Sequence, residues 1–223
     1  MKVFNTLLDL LYPPKCVFCG KLLKDNETDF CKACRATLPR VDAPIKRGEF
    51  FDRCYSVVYY EKDIAQAVKR LKFSGMQQYA RPLGQLMAMQ LLSERVEFDV
   101  LTWVPISKKR LRKRGYDQSR LLAQAVAQEL GVQCVSTLQR VKDRLPQSSI
   151  KDYAARRGNV KNAYVVGNPS SVRGKRVLLL DDVITSGATL SECSFHLKLA
   201  GATQVQCASF AAARIHKVTK KSR

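Results

Sequence analysis

The 223-residue chain is poor in acid, nearly without histidine, and has no long apolar run. No stretch of about 18 consecutive apolar residues occurs, which argues against a membrane-spanning helix. The apolar patch at residues 1–12 is interrupted by Asp9, and no small-residue cleavage site follows, which argues against a secretory signal. These absences point to the cytoplasm. The two histidines, His196 and His216, lie in no motif and read as structural or solvent-exposed, so no residue announces itself as a general base. Acids number 19 against 39 Lys and Arg, giving a net charge of +20. Such a chain is drawn to polyanions, nucleic acid being the commonest, in binding that weakens steeply with salt. Acidic membrane surface and ribosomal association are alternatives that charge does not separate. The length allows one substantial domain and a small appendage, and no internal repeat is evident.

Among eight cysteines, four form a pattern: Cys16-x-x-Cys19 and, after eleven residues, Cys31-x-x-Cys34. Two such knuckles can converge four thiolates tetrahedrally on a structural Zn²⁺. A segment of about 40 residues has too little core to fold alone, so metal would supply much of its folding energy. Paired disulfides, disfavoured in a reducing compartment, and a redox C-x-x-C are the competing readings. Four thiolate ligands leave no open position, so the module suits docking or nucleic-acid contact rather than metal catalysis. Cys54, Cys134, Cys193 and Cys207 sit in apolar surroundings and read as small core residues.

The most informative stretch is VLLLDDVITSGATL, residues 177–190. Four apolar residues run into Asp181 and Asp182, and a loop of small and hydroxyl residues then opens a helical pattern. The acids can accept hydrogen bonds from vicinal ribose hydroxyls. The loop offers backbone N–H groups and hydroxyls to a phosphate at the positive end of a helix dipole, and Gly187 allows close backbone approach. A solvated acidic turn before a capped helix is the plainer alternative. Upstream, six of the seven residues from Lys108 to Arg114 are basic. They read as a loop at a strand's carboxyl end that can cradle pyrophosphate, or as a solvated basic loop meeting phosphates non-specifically. Residues 140–162 are polar and weakly periodic, and read as a functional lid or an ordinary exposed excursion.

Elsewhere, periodicity predicts strands over 54–60, 100–106, 132–138, 163–166 and 205–213. It predicts helices over 63–73, 83–92, 119–130 and from the acidic motif to about residue 200. The expectation is an α/β fold: a mostly parallel sheet with helices on both faces. Ligands in such folds sit at the carboxyl ends of strands, where Asp181 falls. The expected division is a zinc module over 1–40, a linker over 41–52, the main domain over 53–215 and a basic tail over 216–223.

The acidic stretch resembles the 5-phosphoribosyl-1-pyrophosphate (PRPP) motif of type I phosphoribosyltransferases: a hydrophobic run, two acids, an apolar pair (here Val183 and Ile184) and T-T-G-x-T, with Ser186 replacing one Thr. The resemblance implies that Asp181 and Asp182 hold the ribose 2′- and 3′-hydroxyls. It implies that Thr185, Ser186, Gly187, Ala188 and Thr189 wrap the 5′-phosphate, and that Ser107, Lys108 and Lys109 belong to the loop for leaving pyrophosphate. Taken with LYPPKCVFCG and the second C-x-x-C, two further patterns resemble the ComF family, whose enteric members are called GntX. These are P-x-x-x-x-R-x-x-x-R-G-Y-D-Q (Pro105, Arg110, Arg114, Gly115, Tyr116, Asp117, Gln118) and the spaced Gln147, Arg156 and Asn159. Asp117 stands where that family commonly has Asn, and Arg144 where it has Thr. The family implies a four-cysteine zinc module on a phosphoribosyltransferase-like domain, with Mg²⁺ accompanying PRPP. It also implies a mobile loop over the reacting centre, a role with incoming single-stranded DNA in natural transformation or DNA utilisation, and other competence or DNA-processing proteins as partners. A metabolic phosphoribosyltransferase acting on a nucleobase or another small nitrogenous acceptor, without a DNA role, is the alternative.

Overall fold

The apolar run before the acid pair becomes the middle of the central strand. The structure, a computed structural model, describes residues 13–45, 48–141 and 163–214. In chain order its elements are α1 (Lys32–Ala36), β1 (Cys54–Tyr59), α2 (Lys62–Phe73), α3 (Ala80–Ser93), β2 (Val100–Trp103), α4 (Lys108–Arg114), α5 (Gln118–Leu130), β3 (Leu138–Arg140), β4 (Tyr164–Val166), β5 (Arg176–Ile184), α6 (Ala188–Leu199) and β6 (Gln204–Ala212). β1, β6, β5 and β2 form one sheet in that order, every pairing parallel. Successive residues of a strand face opposite ways. Leu178 and Leu180 therefore enter the core under α2, α3 and α5, while Val177 and Leu179 enter the core under α6. Burial on both faces explains why the strand reads as a continuous apolar run rather than an alternating one.

The first core holds Ile64, Val68 and Leu71 of α2, Leu83 and Met87 of α3, and Leu122 and Val126 of α5. The second holds Leu190, Cys193 and Leu197 of α6, with the β3–β4 antiparallel pair. Helices thus cover both faces, as the strand–helix alternation predicts. Cys54, Cys193 and Cys207 are buried core residues. The zinc-module residue Phe18 joins the first core, stacking on Phe30 at 4.6 Å and on Phe210 of β6 at 6.3 Å between ring centres. Arg70 of α2 donates to the Phe18 carbonyl at 3.2 Å.

Several local expectations need correction. β2 ends at Trp103 rather than at residue 106. The basic run is helix α4, not a loop: the Ser107 hydroxyl caps it by accepting the Arg110 amide at 3.2 Å, and long straight side chains favour helix. Within 132–138 a parallel bridge joins Cys134 to Leu101, and the following residues turn to pair with β4 instead of extending the sheet. Within the expected linker Ile45 bridges antiparallel to Cys54, and just before it Arg40 bridges to Val58, along the outer edge of β1; Val41 and Phe51 are buried. Among the described residues no helix is long and apolar enough to cross a membrane. The proposed lid with Gln147, Arg156 and Asn159, the basic tail and His216 lie outside the described residues.

Candidate functional site

β5 continues through both acids to Ile184, so Asp181 and Asp182 stand inside the strand near its carboxyl end. The edge beside them is set by the neighbouring strand. β2 pairs with β5 as far as Trp103 opposite Leu180, and the Val104 amide makes a last bond to the Leu180 carbonyl. Beyond that point β2 leaves, and the start of α5 faces the vacated edge. Ser119 donates its hydroxyl to Asp181 Oδ1 at 2.9 Å, and the Gln118 amide donates to Asp182 Oδ2 at 2.7 Å. Lys72, at the end of α2, reaches Asp182 Oδ1 at 2.8 Å.

The two carboxyls are not electrostatically alike. Asp182 is buried but has the lysine cation and an amide donor. Asp181 has the hydroxyl of Ser119 and the amide N–H of Asp182. Burial, and then the charge of Asp182, push the Asp181 carboxyl up to about 7, with Lys72 opposing. The pair is short of positive charge and of donors, a state that a polyhydroxyl ligand with a divalent cation would relieve.

After Ile184 the chain turns through residues 185–187. Gly187 adopts φ 77°, the left-handed region open to glycine, and forms the N-cap of α6. Ala188 and Thr189, expected in the loop, are instead the first residues of the helix. The Ser186 hydroxyl accepts the Ala188 amide at 3.4 Å. The first-turn amides of α6 and the 185–187 turn therefore lie immediately beyond the acids in the chain.

The R-G-Y-D-Q stretch has a structural account residue by residue. Gly115 ends α4 at φ 81°. Tyr116, buried, gives its hydroxyl to the Leu71 carbonyl. Asp117 caps α5 by accepting the amides of Ser119 and Arg120, and its second oxygen takes the Ile106 amide at 3.1 Å. Burial raises its carboxyl above the ordinary range. Arg114 bonds Gln118 Oε1 and lies over the Phe73 ring, 5.0 Å from its centre. The structure thus brings Arg114 and Gln118 to the acids, and leaves Lys108 and Lys109 exposed on α4. Sequence reasoning missed Lys72 and Ser119. Lys72 follows the inward Leu71 in an ordinary amphipathic helix, and nothing local marks it.

The four cysteines of the knuckles meet: their sulfurs all lie within 4.8 Å of one another, and none is in a disulfide. A tetrahedral Zn²⁺ with bonds of about 2.3 Å sets sulfur–sulfur edges of about 3.8 Å, and Cys19 and Cys31 stand at 3.8 Å. Burial raises the Cys16 thiol, but the amides of Cys31, Cys19 and Phe18 outweigh it and bring it down to about 7. Cys34 is pushed far up by burial and by the crowding of Cys31, Cys19 and Cys16. Four sulfurs this close cannot all ionise without a cation between them, and this donor set fits a structural Zn²⁺.

A cavity of about 300 Å³ between Asp99, Leu101, Val132, Val135, Ser171 and Lys175 opens at the amino ends of β2 and β5. That is the opposite end of the sheet from the acids, and ligands in open parallel sheets bind at the carboxyl ends.

Comparison with known proteins agrees with this anatomy. The family profile described as phosphoribosyl transferase domain matches residues 117–222, and the double zinc ribbon domain profile matches residues 7–45. The fold and these two matches define a type I phosphoribosyltransferase-like α/β domain preceded by a four-cysteine zinc ribbon. The DNA utilization protein YhgH of Salmonella typhimurium is 28% identical over 201 residues, covering 86% of this chain and 87% of its own. Competence protein F of Haemophilus influenzae is 28% identical over 202 residues, covering 86% and 82%. Competence protein ComFC of Streptococcus pneumoniae is 23% identical, covering 86% and 97%. With both modules in the same order, the chain is similar to these DNA utilization and competence proteins along most of its length and theirs.

Proposed function

We propose that the acid pair and the following turn bind PRPP, and that the protein acts in DNA uptake or DNA utilisation, with its basic surface meeting single-stranded DNA. The observation that carries the reading is the placement of Asp181 and Asp182 at the edge of β5 that β2 vacates, directly before the turn and N-terminus of α6. In this reading Asp181 and Asp182 accept the ribose hydroxyls. Thr185, Ser186, Gly187, Ala188 and Thr189 hold the 5′-phosphate with amides, hydroxyls and the helix dipole. Mg²⁺ bound with PRPP would supply hard positive charge beside the Asp181 and Asp182 carboxyls. Ser107, Lys108 and Lys109 face the leaving pyrophosphate, with Arg110 and Arg114 behind them, and the work of these groups is positioning and stabilisation of departing charge. Lys72 is the cation paired with Asp182 between ligands, and part of its contact gives way when a ribose hydroxyl arrives.

The net charge of +20 supports the nucleic-acid half of the reading, as do the roles that the relatives are named for. Calorimetry with PRPP and Mg²⁺ tests the first half. The wild type gives heat, and the double variant Asp181→Asn, Asp182→Asn gives none; a silent wild type refutes it. A salt series with single-stranded DNA tests the second half, and no binding at about 50 mM salt removes it.

A further inference from the structure

Next to the acid pair the structure sets out an aromatic face that the phosphoribose reading does not use. Phe73 is 72% exposed at the end of α2, immediately after Lys72. The Arg114 guanidinium lies over its ring, 5.0 Å from the centre, and is itself held by Gln118. Two routes fix this stack to Asp182: the main chain through Lys72, and the side chains Arg114–Gln118. The Tyr116 hydroxyl pins the Leu71 carbonyl two residues before Phe73, so the end of α2 is tied from both sides. An aromatic ring backed by a planar cation is the surface on which bases stack, and it does so without regard to sequence. α4, which supplies Arg114, carries Lys108, Lys109, Arg112 and Lys113 with no buried residue, giving cations for phosphates beside the ring.

We propose that Phe73, with Arg114 laid across it, is a stacking platform for a nucleobase at the mouth of the candidate phosphoribose pocket. Its position beside that pocket rests on the reading of the acid pair as a PRPP site. The base can come from a single strand or from a small acceptor; the chemistry is the same, and two arms of one experiment separate the sources.

In the first arm, the full-length zinc-loaded protein is titrated with a twelve-nucleotide oligothymidylate and with an abasic strand of equal length. The two strands share phosphates and differ in bases. The wild type prefers the thymidylate by roughly five- to a hundredfold, the range expected for one stacked base. Phe73→Ala removes the preference while leaving abasic binding unchanged, and Phe73→Trp keeps it. In the second arm, adenine is titrated by calorimetry onto protein saturated with PRPP and Mg²⁺, and heat seen with the wild type is lost in Phe73→Ala. Loss of the preference assigns the platform to a strand, and loss of adenine heat assigns it to a small acceptor. The proposal is overturned if the wild type shows no base dependence in either arm, or if Phe73→Ala leaves both unchanged. PRPP heat measured on both proteins keeps the two readings apart: its absence from the wild type removes the phosphoribose pocket, while the strand comparison still decides whether Phe73 stacks a base.

Discussion

Replacing Asp181 by Asn removes the acid proposed to hold ribose and at the same time relieves an unfavourable charge. Burial and the charge of Asp182 carry the Asp181 carboxyl from 3.8 to about 7 in the folded chain. Between those values the folded protein keeps a proton that the unfolded chain releases, so stability falls as pH rises across that window and levels off above about pH 7. The full displacement corresponds to a ceiling of about 4 kcal/mol. Solvent reaches part of Asp181 and the asparagine must re-form its bonds, so a gain of about 1–2 kcal/mol at pH 8 is expected, or roughly 2–8 °C in Tm. The Asn oxygen can still accept the Ser119 hydroxyl and the Asp182 amide, which limits new damage. Thermal melts of wild type and variant at half-unit steps from pH 5 to 8, with zinc present and PRPP absent, measure the difference. The variant's advantage should grow with pH and reach a plateau near 7, while calorimetry shows PRPP binding weakened. A Tm difference that is flat across this range, or a wild type more stable at pH 8, refutes the electrostatic account.

Lys72→Met leaves the buried Asp182 without its cation, and breaking such a pair costs about 3–5 kcal/mol; urea unfolding at pH 8 should show it, with a smaller loss at pH 5 as one carboxyl takes a proton. Chelation, or Cys34→Ser, should release one zinc per chain in a colorimetric assay and lower Tm, because Phe18 and Phe30 pack on the main core only while the knuckles hold them. Gly84→Ala on α3 would set a methyl 2.4 Å from the Ala125 Cβ on α5, and overpacking of this kind costs about 1–3 kcal/mol; an unchanged urea midpoint contradicts the close approach of these helices.

What the sequence disclosed follows from the range of the interactions. The four-residue apolar run of β5, the acids after it and the Gly187 turn are contiguous, and each carries a local signal of period, charge or conformation. The zinc knuckles are two local turns, and their convergence needed only the spacing. By contrast, Lys72 and Asp182 are brought together across 110 positions by the packing of α2 on the sheet, and no local pattern encodes that contact. The basic run misled because charge and strand-end position suggested a loop, while Ser107 supplies a cap and Lys and Arg are good helix formers. The early end of β2 decides the geometry of the site, yet Val104 and Ile106 read as strand continuing, because apolar character does not tell a paired residue from one packed after the pairing stops.

The pairing of residues 40 and 45 with β1 has a bearing on solubility. A parallel sheet whose outermost strand lay bare would offer unpaired amides and carbonyls to another chain, and such rims template self-association. Here the segment leaving the zinc module occupies part of that rim, so the ribbon and the sheet's guard are covalently one piece. Cutting the chain after residue 45 would strip off both together, and the trimmed α/β domain should gather into oligomers through its exposed flank even where its core stays intact.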